Sequence, residues 1–230
     1  MARVQDDAGH RNGSLSHGTV PRRKGSRITL AGERAREERF LPTLLAIHTA
    51  FPRLKIVLEH VTTEKAVDLI AELPETVGAT VTVHHLFLLF HDVFKGGKIQ
   101  ESHHFCEPVA KGERDREALR RVVLSGNPHF FLGTDSAPHP EDEKRWVGEK
   151  QGKPGSFTAP VAYSPLFTLY EEYGHLERSE PFVSEIGPRH YGFEPSTRTV
   201  TFVKKPWRVP DRYGDVVPFM AGEILQWQVE

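Results

Sequence analysis

Cysteine is almost absent from this sequence. Its 230 residues include one, Cys106, so no disulfide can form within the chain. No apolar run approaches the ~20 residues that a membrane-spanning helix needs, and the first 27 residues lack the apolar stretch of a secretory signal. From these absences we expect a cytoplasmic protein.

An excess of either charge is also absent. The sequence has 30 Lys and Arg against 31 Asp and Glu, a formal net charge of -1. Such a chain has no overall field that attracts nucleic acid or an anionic membrane, so we expect neither as a partner. Histidine, in contrast, occurs 13 times, which favours metal binding or acid–base chemistry.

The chain divides into two parts by composition. Residues 1–32 are rich in Gly, Ser, Arg and Asp and have few periodic apolar positions, so they bury too little surface to offset the entropy of ordering. We predict that this segment is disordered or non-homologous, and that residues 33–230 form the folded part.

Strands and helices alternate along the folded part. The apolar spacing predicts, in order, a helix over 33–51, a strand over 54–58, a helix over 64–73, a strand over 79–83, a helix over 115–125 and a strand over 129–132. This order is typical of βαβ units and a parallel sheet. In α/β barrels the reactive side chains lie at the carboxyl ends of the strands, and the pattern suits part of such a barrel.

Three polar residues follow predicted strands or lie in the next loop. His60 ends one strand and could bind a divalent metal, although a hydrogen-bonded histidine would look the same. Asp135 follows the strand Phe130-Phe131-Leu132 and could ligate metal and move a proton, or make an Asx turn. His139 could bind a substrate carboxylate or face solvent.

The remaining histidine pairs look less suited to metal. His84 and His85 are adjacent in sequence, as are His103 and His104, and neighbours on a strand point to opposite faces. We therefore expect both pairs to have structural roles. No His/Asn arrangement marks Cys106 as a nucleophile, so we predict a buried thiol.

Several motifs in register carry a resemblance to a known family. They are Leu58-Glu59-His60-Val61-Thr62-Thr63, His84-His85-Leu86-Phe87-Leu88, Gly133-Thr134-Asp135-Ser136-Ala137-Pro138-His139-Pro140, Phe157-Thr158-Ala159-Pro160, Gly187-Pro188-Arg189-His190-Tyr191-Gly192 and Val217-Pro218-Phe219-Met220-Ala221-Gly222-Glu223. Together they resemble monofunctional, homodimeric dihydroorotases of the amidohydrolase superfamily, especially fungal ones. The likeness runs from about Glu38 to the C-terminus.

The resemblance implies a fold and a reaction. The fold would be a partial (β/α)8 TIM barrel of the metal-dependent hydrolase type, roughly the second half of the barrel. The reaction would be the reversible cyclisation of N-carbamoyl-L-aspartate to (S)-dihydroorotate in pyrimidine biosynthesis, at two zinc ions and in a homodimer.

The resemblance also implies roles for five residues. Asp135 matches a catalytic aspartate that binds zinc and moves the proton of the ring nitrogen, and His60 matches a ligand of the second zinc. His139 matches a histidine that binds the substrate carboxylate. Glu107 and Pro154 match positions whose backbone helps bind substrate, although their side chains fit the family pattern poorly.

Other parts of the family pattern have no counterpart in the sequence. A His-x-His pair and a carboxylated lysine are not recognisable, and Ala31 stands where the family's His-Gly-Glu motif has its histidine. We therefore expect the chain alone to bind zinc weakly and to have little activity. Two alternatives stay open: a truncated, catalytically inactive dihydroorotase-like interaction module and, with less support, another cyclic amidohydrolase such as a dihydropyrimidinase or allantoinase.

Overall fold

The fold is an α/β arrangement built on a parallel sheet. The structure, a computed structural model, describes residues 2–5, 13–15, 27–147 and 151–230. Its strands are β1 (Ala2–Gln5), β2 (Gly13–Leu15), β3 (Lys55–Leu58), β4 (Val77–Val81), β5 (Phe94–Lys95), β6 (Lys98–Ile99), β7 (Phe130–Leu132), β8 (Phe202–Arg208) and β9 (Ile224–Val229). The main sheet has the order β2-β1-β3-β4-β7, in which β3, β4 and β7 are parallel and β1 runs antiparallel to β3.

Helices connect and cover these strands. They are α1 (Leu30–Glu38), α2 (Leu41–Ala50), α3 (Glu64–Ala71), α4 (Val83–Phe87), α5 (Phe90–Val93), α6 (Glu113–Ser125), α7 (Glu141–Lys144), α8 (Tyr163–Glu172) and α9 (Ile186–Tyr191), with 3-10 turns at Ser102–His104 and Leu176–Arg178 and a π turn at Pro181–Glu185. Among the described residues, no helix combines the length and apolar character that crossing a membrane requires.

The centre of the sheet is apolar on both faces. Ile56 and Leu58 of β3 and Val77, Ala79 and Val81 of β4 are at most 1% exposed. Parallel strands covered by helices on both sides have this near-continuous apolar character. The predicted βαβ order is confirmed for β3, α3 and β4, and the sheet is consistent with part of a barrel.

The predicted single helix over 33–51 is wrong. Two helices occupy this stretch, and α1 ends before Arg39 while α2 begins at Leu41. Pro42 explains the break, because proline lacks an amide hydrogen and fits only the first turn of a helix. Pro42 therefore marks the start of α2 and does not lie in the interior of a longer helix.

The predicted strand over 79–83 lies two residues too late. The strand β4 ends at Val81, and His84 and His85 lie on the short helix α4. Thr82 is the residue that precedes this helix, with extended backbone, a position that Thr favours. The argument that the two histidines point to opposite faces of a strand therefore fails.

The N-terminal segment is described only in part, and the C-terminal segment forms a hairpin. The predicted boundary at residue 32 stays a prediction, since most of residues 1–32 lie outside the described part, although α1 begins at Leu30 and Thr29 caps it. At the other end, β8 and β9 form an antiparallel hairpin. The amide of Trp227 donates to Ser164 Oγ of α8 at 3.0 Å, which holds the hairpin against the domain.

Candidate functional site

His60 and Asp135 follow parallel strands that lie on either side of β4. Each residue comes directly after its strand or the next turn, so both lie at the carboxyl edge of the sheet. Both also have positive backbone φ angles, 46° for His60 and 41° for Asp135. Residues other than glycine rarely adopt this backbone conformation, and those that do are often found at functional sites.

The backbone at His60 is tied to β4. Its amide donates to Thr80 Oγ1 at 2.6 Å, and the amide of Val61 donates to the Thr80 carbonyl at 3.0 Å. A Cβ atom on Gly133 would lie 2.6 Å from Thr80 Cβ, so β7 also approaches this threonine closely. Thr80 therefore couples the turn at His60 to the strand that leads to Asp135.

A buried carboxylate holds the loop that follows His60. Glu37 of α1 is 2% exposed and accepts hydrogen bonds from the amides and hydroxyls of both Thr62 and Thr63. The Lys111 ammonium donates to Thr62 Oγ1 at 2.9 Å and to the Val109 carbonyl at 2.5 Å. Burial lowers the pKa of Lys111, and the charge of Glu37 opposes that change.

The loop at Asp135 is braced by its neighbours. Ser136 Oγ accepts from the amides of Thr158 and Ala159 at 3.2 and 3.0 Å, and Thr158 Oγ1 donates to the Thr134 carbonyl at 3.0 Å. Asp135 itself is exposed. The Phe157-Thr158-Ala159-Pro160 motif thus fixes the backbone on both sides of Asp135.

The three residues predicted to bind substrate lie on loops that meet. Pro154 precedes Gly155, where a Cβ atom would lie 3.1 Å from His139 Cδ2. The amide of Gly155 donates to the Phe105 carbonyl at 2.9 Å, two residues before Glu107. The structure therefore brings the His139, Glu107 and Pro154 segments together, while their roles stay predictions.

A buried cluster that the sequence did not predict lies close to these loops. His84, His85 and Cys106 are each at most 2% exposed, and one potential ligand atom from each lies within 4.8 Å of the others. The His60 charge acts on the pKa of His85, and the Asp135 charge acts on that of Cys106. The cluster is therefore within electrostatic reach of both strand ends.

Its hydrogen bonds are those of a neutral network. His85 Nε2 faces the Pro108 carbonyl at 2.9 Å and must donate, so Nδ1 accepts from Thr82 Oγ1 at 2.5 Å. The Cys106 thiol donates to the same carbonyl at 3.3 Å. Burial lowers the pKa of His84 to about 3 and raises that of Cys106 to about 12. We interpret the cluster as structural, and the predicted burial of the thiol is confirmed.

The described residues do not by themselves fit a two-metal centre. His60 and Asp135 supply two donors, whereas a tetrahedral zinc site takes about four ligands. The set of three convergent donors found among the described residues is His84, His85 and Cys106, whose protons are engaged in hydrogen bonds.

A cavity lies away from the strand ends. It has a volume of about 690 Å³ and is lined by residues that include Phe87, His104, Leu169 and Phe219, and by none of the five predicted site residues. Cavities of this size are common ligand sites, but the candidate chemistry lies at the edge of the sheet.

Comparisons with known proteins agree with the motifs. The chain is 43% identical over 199 residues to a dihydroorotase of Shewanella denitrificans, a match that covers 84% of this chain and 56% of that protein. A dihydroorotase structure from Campylobacter jejuni has a TM-score of 0.78 at 34% identity, covering 93% of this chain and 60% of that one. A Saccharomyces cerevisiae dihydroorotase, solved in complex with 5-fluoroorotic acid, has a TM-score of 0.77 at 34% identity, covering 92% and 60%.

The similarity supports homology over most of this chain and part of its relatives. The chain spans little more than half the length of the curated relatives it matches. It matches no protein-family profile. The resemblance to dihydroorotases of the amidohydrolase superfamily is confirmed at this level, whereas the homodimeric type and the part of the barrel present stay predictions.

Proposed function

We propose that this chain, homologous to dihydroorotases over 84% of its length, carries part of a dihydroorotase active site. The reaction would be the reversible cyclisation of N-carbamoyl-L-aspartate to (S)-dihydroorotate in pyrimidine biosynthesis. One observation carries the proposal: the motifs shared with dihydroorotases place His60 and Asp135 at the carboxyl ends of two parallel strands in one sheet. By the same likeness we propose a homodimer, and from the composition of the sequence we propose a cytoplasmic location.

The electrostatics around the loops suit an anionic substrate. Lys111 and Lys144 are both 3% exposed, and both lie behind the loops that carry the predicted substrate-binding positions. The Lys144 ammonium donates to the backbone carbonyls of Phe105 and Gly155, which carry no full negative charge. Buried positive charge acts over a longer range than charge in water, so these groups favour a ligand with carboxylates.

Asp135 and His139 have different roles in the proposed reaction. Hydrolysis of dihydroorotate breaks the ring amide C–N bond, adds hydroxyl to the carbonyl carbon and adds a proton to the leaving nitrogen. We assign that proton to the Asp135 carboxyl, which lies on a braced loop, and the substrate carboxylate to the His139 ring. His139 Nδ1 lies 3.7 Å from a Glu143 carboxylate oxygen, which helps keep the ring oriented.

We propose zinc as the metal of the complete site. His60 and Asp135 would be its ligands from this chain, and the other ligands of the family pattern have no counterpart in the sequence. When bound, zinc lowers the pKa of a water molecule and polarises a carbonyl. Two donors alone bind it weakly, so we expect zinc content below that of a full site.

The proposal is tested by the activity of the purified chain. We would measure zinc per chain together with hydrolysis of dihydroorotate, for the wild type and for Asp135→Asn, which keeps the size but removes the carboxylate. Turnover should fall by about a hundredfold or more in the variant, the usual cost of losing a general acid or base. Asp68→Asn is the control, because Asp68 pairs with Arg121 on the exposed surface.

Each result has a distinct meaning. Equal turnover by the wild type and Asp135→Asn would remove Asp135 from the mechanism. A folded wild type with neither zinc nor turnover would contradict activity of this chain. In that case, binding to an intact dihydroorotase would favour the inactive interaction module.

A further inference from the structure

Lys144 is a buried cation whose hydrogen bonds have no part in the chemistry above. It is the last residue of α7, nine residues after Asp135, and it is 3% exposed. Its ammonium donates to the Phe105 carbonyl at 2.8 Å and to the Gly155 carbonyl at 2.5 Å. It also lies 6.0 Å from the centre of the Phe105 ring, within range of a cation–π contact.

These bonds join two loops that are far apart in sequence. Phe105 is two residues before Glu107, and Gly155 follows Pro154 directly. The Phe105 carbonyl accepts a hydrogen bond from the Gly155 amide at 2.9 Å as well as one from the Lys144 ammonium. One side chain thus holds together the two backbone segments whose predicted role is to contact substrate.

The loop around residue 154 also packs tightly on α7 and on the segment before His139. A Cβ atom on Gly152 would lie 2.1 Å from the Lys144 carbonyl oxygen, and one on Gly155 would lie 2.7 Å from the Ala137 carbonyl oxygen. The amide of Ala137 donates to the Ser156 carbonyl at 3.0 Å. The loop therefore has little room to shift unless its attachment to Phe105 is released.

Burying the Lys144 ammonium costs free energy, because the charge loses its contact with water. Burial lowers the pKa of Lys144 to about 8, while the charge of Glu101 acts in the opposite direction. A methionine of similar length would fill the same space without that cost. The two hydrogen bonds are therefore what the lysine adds.

We propose that Lys144 is a positioning residue for substrate binding. It clamps the Phe105–Glu107 segment to the Pro154–Gly155 segment, so that their backbones form one subsite beside His139. The clamp rests on the proposed function only for the identity of the ligand, because the hydrogen bonds belong to the chain itself. Its removal should weaken substrate affinity and leave the proton transfer by Asp135 largely unchanged.

Two measurements on Lys144→Met test this inference. Amide hydrogen exchange should become about tenfold faster or more over residues 153–157, because the loop opens locally once its anchor is gone. The KM for dihydroorotate should rise about tenfold while kcat stays within about threefold, the pattern of lost ground-state binding. Lys204→Met is the matched control, since Lys204 pairs with Glu171 on the surface.

The outcomes separate this inference from the proposed function. If the wild type has no turnover, the Kd for orotate measured by calorimetry replaces KM, and hydrogen exchange still reports on the clamp. Unchanged local exchange in Lys144→Met would overturn the clamp, whatever the activity. Faster exchange with an unchanged KM or Kd, or with a fall in kcat alone, would overturn its role in substrate binding. A general rise in exchange across the chain would show a loss of stability and would equally contradict the proposal.

Discussion

We expect the replacement of Glu37 by alanine to lower the free energy of unfolding by about 3 to 5 kcal/mol, the usual cost of leaving a buried charge, here that of Lys111, without compensation. Glu37 accepts four hydrogen bonds from Thr62 and Thr63, and the Lys111 ammonium lies one hydroxyl away. The variant leaves these donors without an acceptor and the ammonium without its nearest negative charge. A domain is stable by only about 5 to 15 kcal/mol, so much of its stability would be lost.

Urea denaturation monitored by circular dichroism measures this effect. We expect a lower midpoint at an unchanged m-value, since the area exposed on unfolding stays the same. Glu38→Ala is the matched control on the same helix, because its carboxylate pairs with Lys65 at 3.8 Å on the surface and should contribute less than about 1 kcal/mol. Equal losses in the two variants would contradict the role assigned to Glu37.

Acidification should destabilise the chain well before its carboxylates titrate. Burial lowers the pKa of His84 to about 3 and that of His85 well below 6.5. The unfolded chain, in which both rings have ordinary pKa values, therefore binds more protons below pH 6.5. Stability is complete above pH 6.5 and falls as the pH decreases towards 3, by about 1.4 kcal/mol per pH unit for each ring.

The contribution of one ring is measured with His84→Phe. Phenylalanine keeps the edge contact with Phe219 and loses the 3.4 Å contact between His84 Nε2 and Thr82 Oγ1, while Nδ1 has no hydrogen-bond partner among the described residues. Unfolding free energies at pH 7.5, 6.5 and 5.5 should show a slope smaller than that of the wild type by about 1.4 kcal/mol per pH unit below pH 6.5.

The difference in pH slope between His84→Phe and the wild type reports on one ring, whereas the wild-type slope is a sum over several histidines. Burial also lowers the pKa values of His103, His104 and His190, so these rings add to the total. His91→Gln is the control, since that side chain is 69% exposed. If His84→Phe kept the full wild-type slope, the ring would not be buried in its neutral form.

Local patterns predicted the elements that place the candidate site. The apolar runs before His60 and before Asp135 are strands, and the helices α3 and α6 begin within two residues of their predicted starts. The two errors arose where a single residue changes the local preference. Pro42 lies in the first turn of α2, although the apolar spacing on both sides of it suggests one continuous helix. Thr82 precedes the helix α4, although it follows a β-branched run that suggests a longer strand.

The contacts that hold the site could not be predicted in this way. Glu37 and Lys111 look like solvated charges in helix and loop sequences, and only the packing of α1 against the loop after β3 makes them buried. The segments at Glu107 and Pro154 are joined by the bond from the Gly155 amide to the Phe105 carbonyl and by Lys144, which is separated from Phe105 by 39 residues. Spacing along the chain contains no signal for contacts between loops at such distances.

The Glu37 network has a consequence for the order in which the chain folds. Its hydrogen bonds join residues 25 and 26 positions apart, and the bond from Lys111 to Thr62 spans 49. Closing such long loops costs entropy that is recovered only when the ends meet in their final arrangement. The turn with His60 can therefore acquire its shape only after α1 and the segment at Lys111 have both docked, which makes it a late product of folding rather than part of the nucleus.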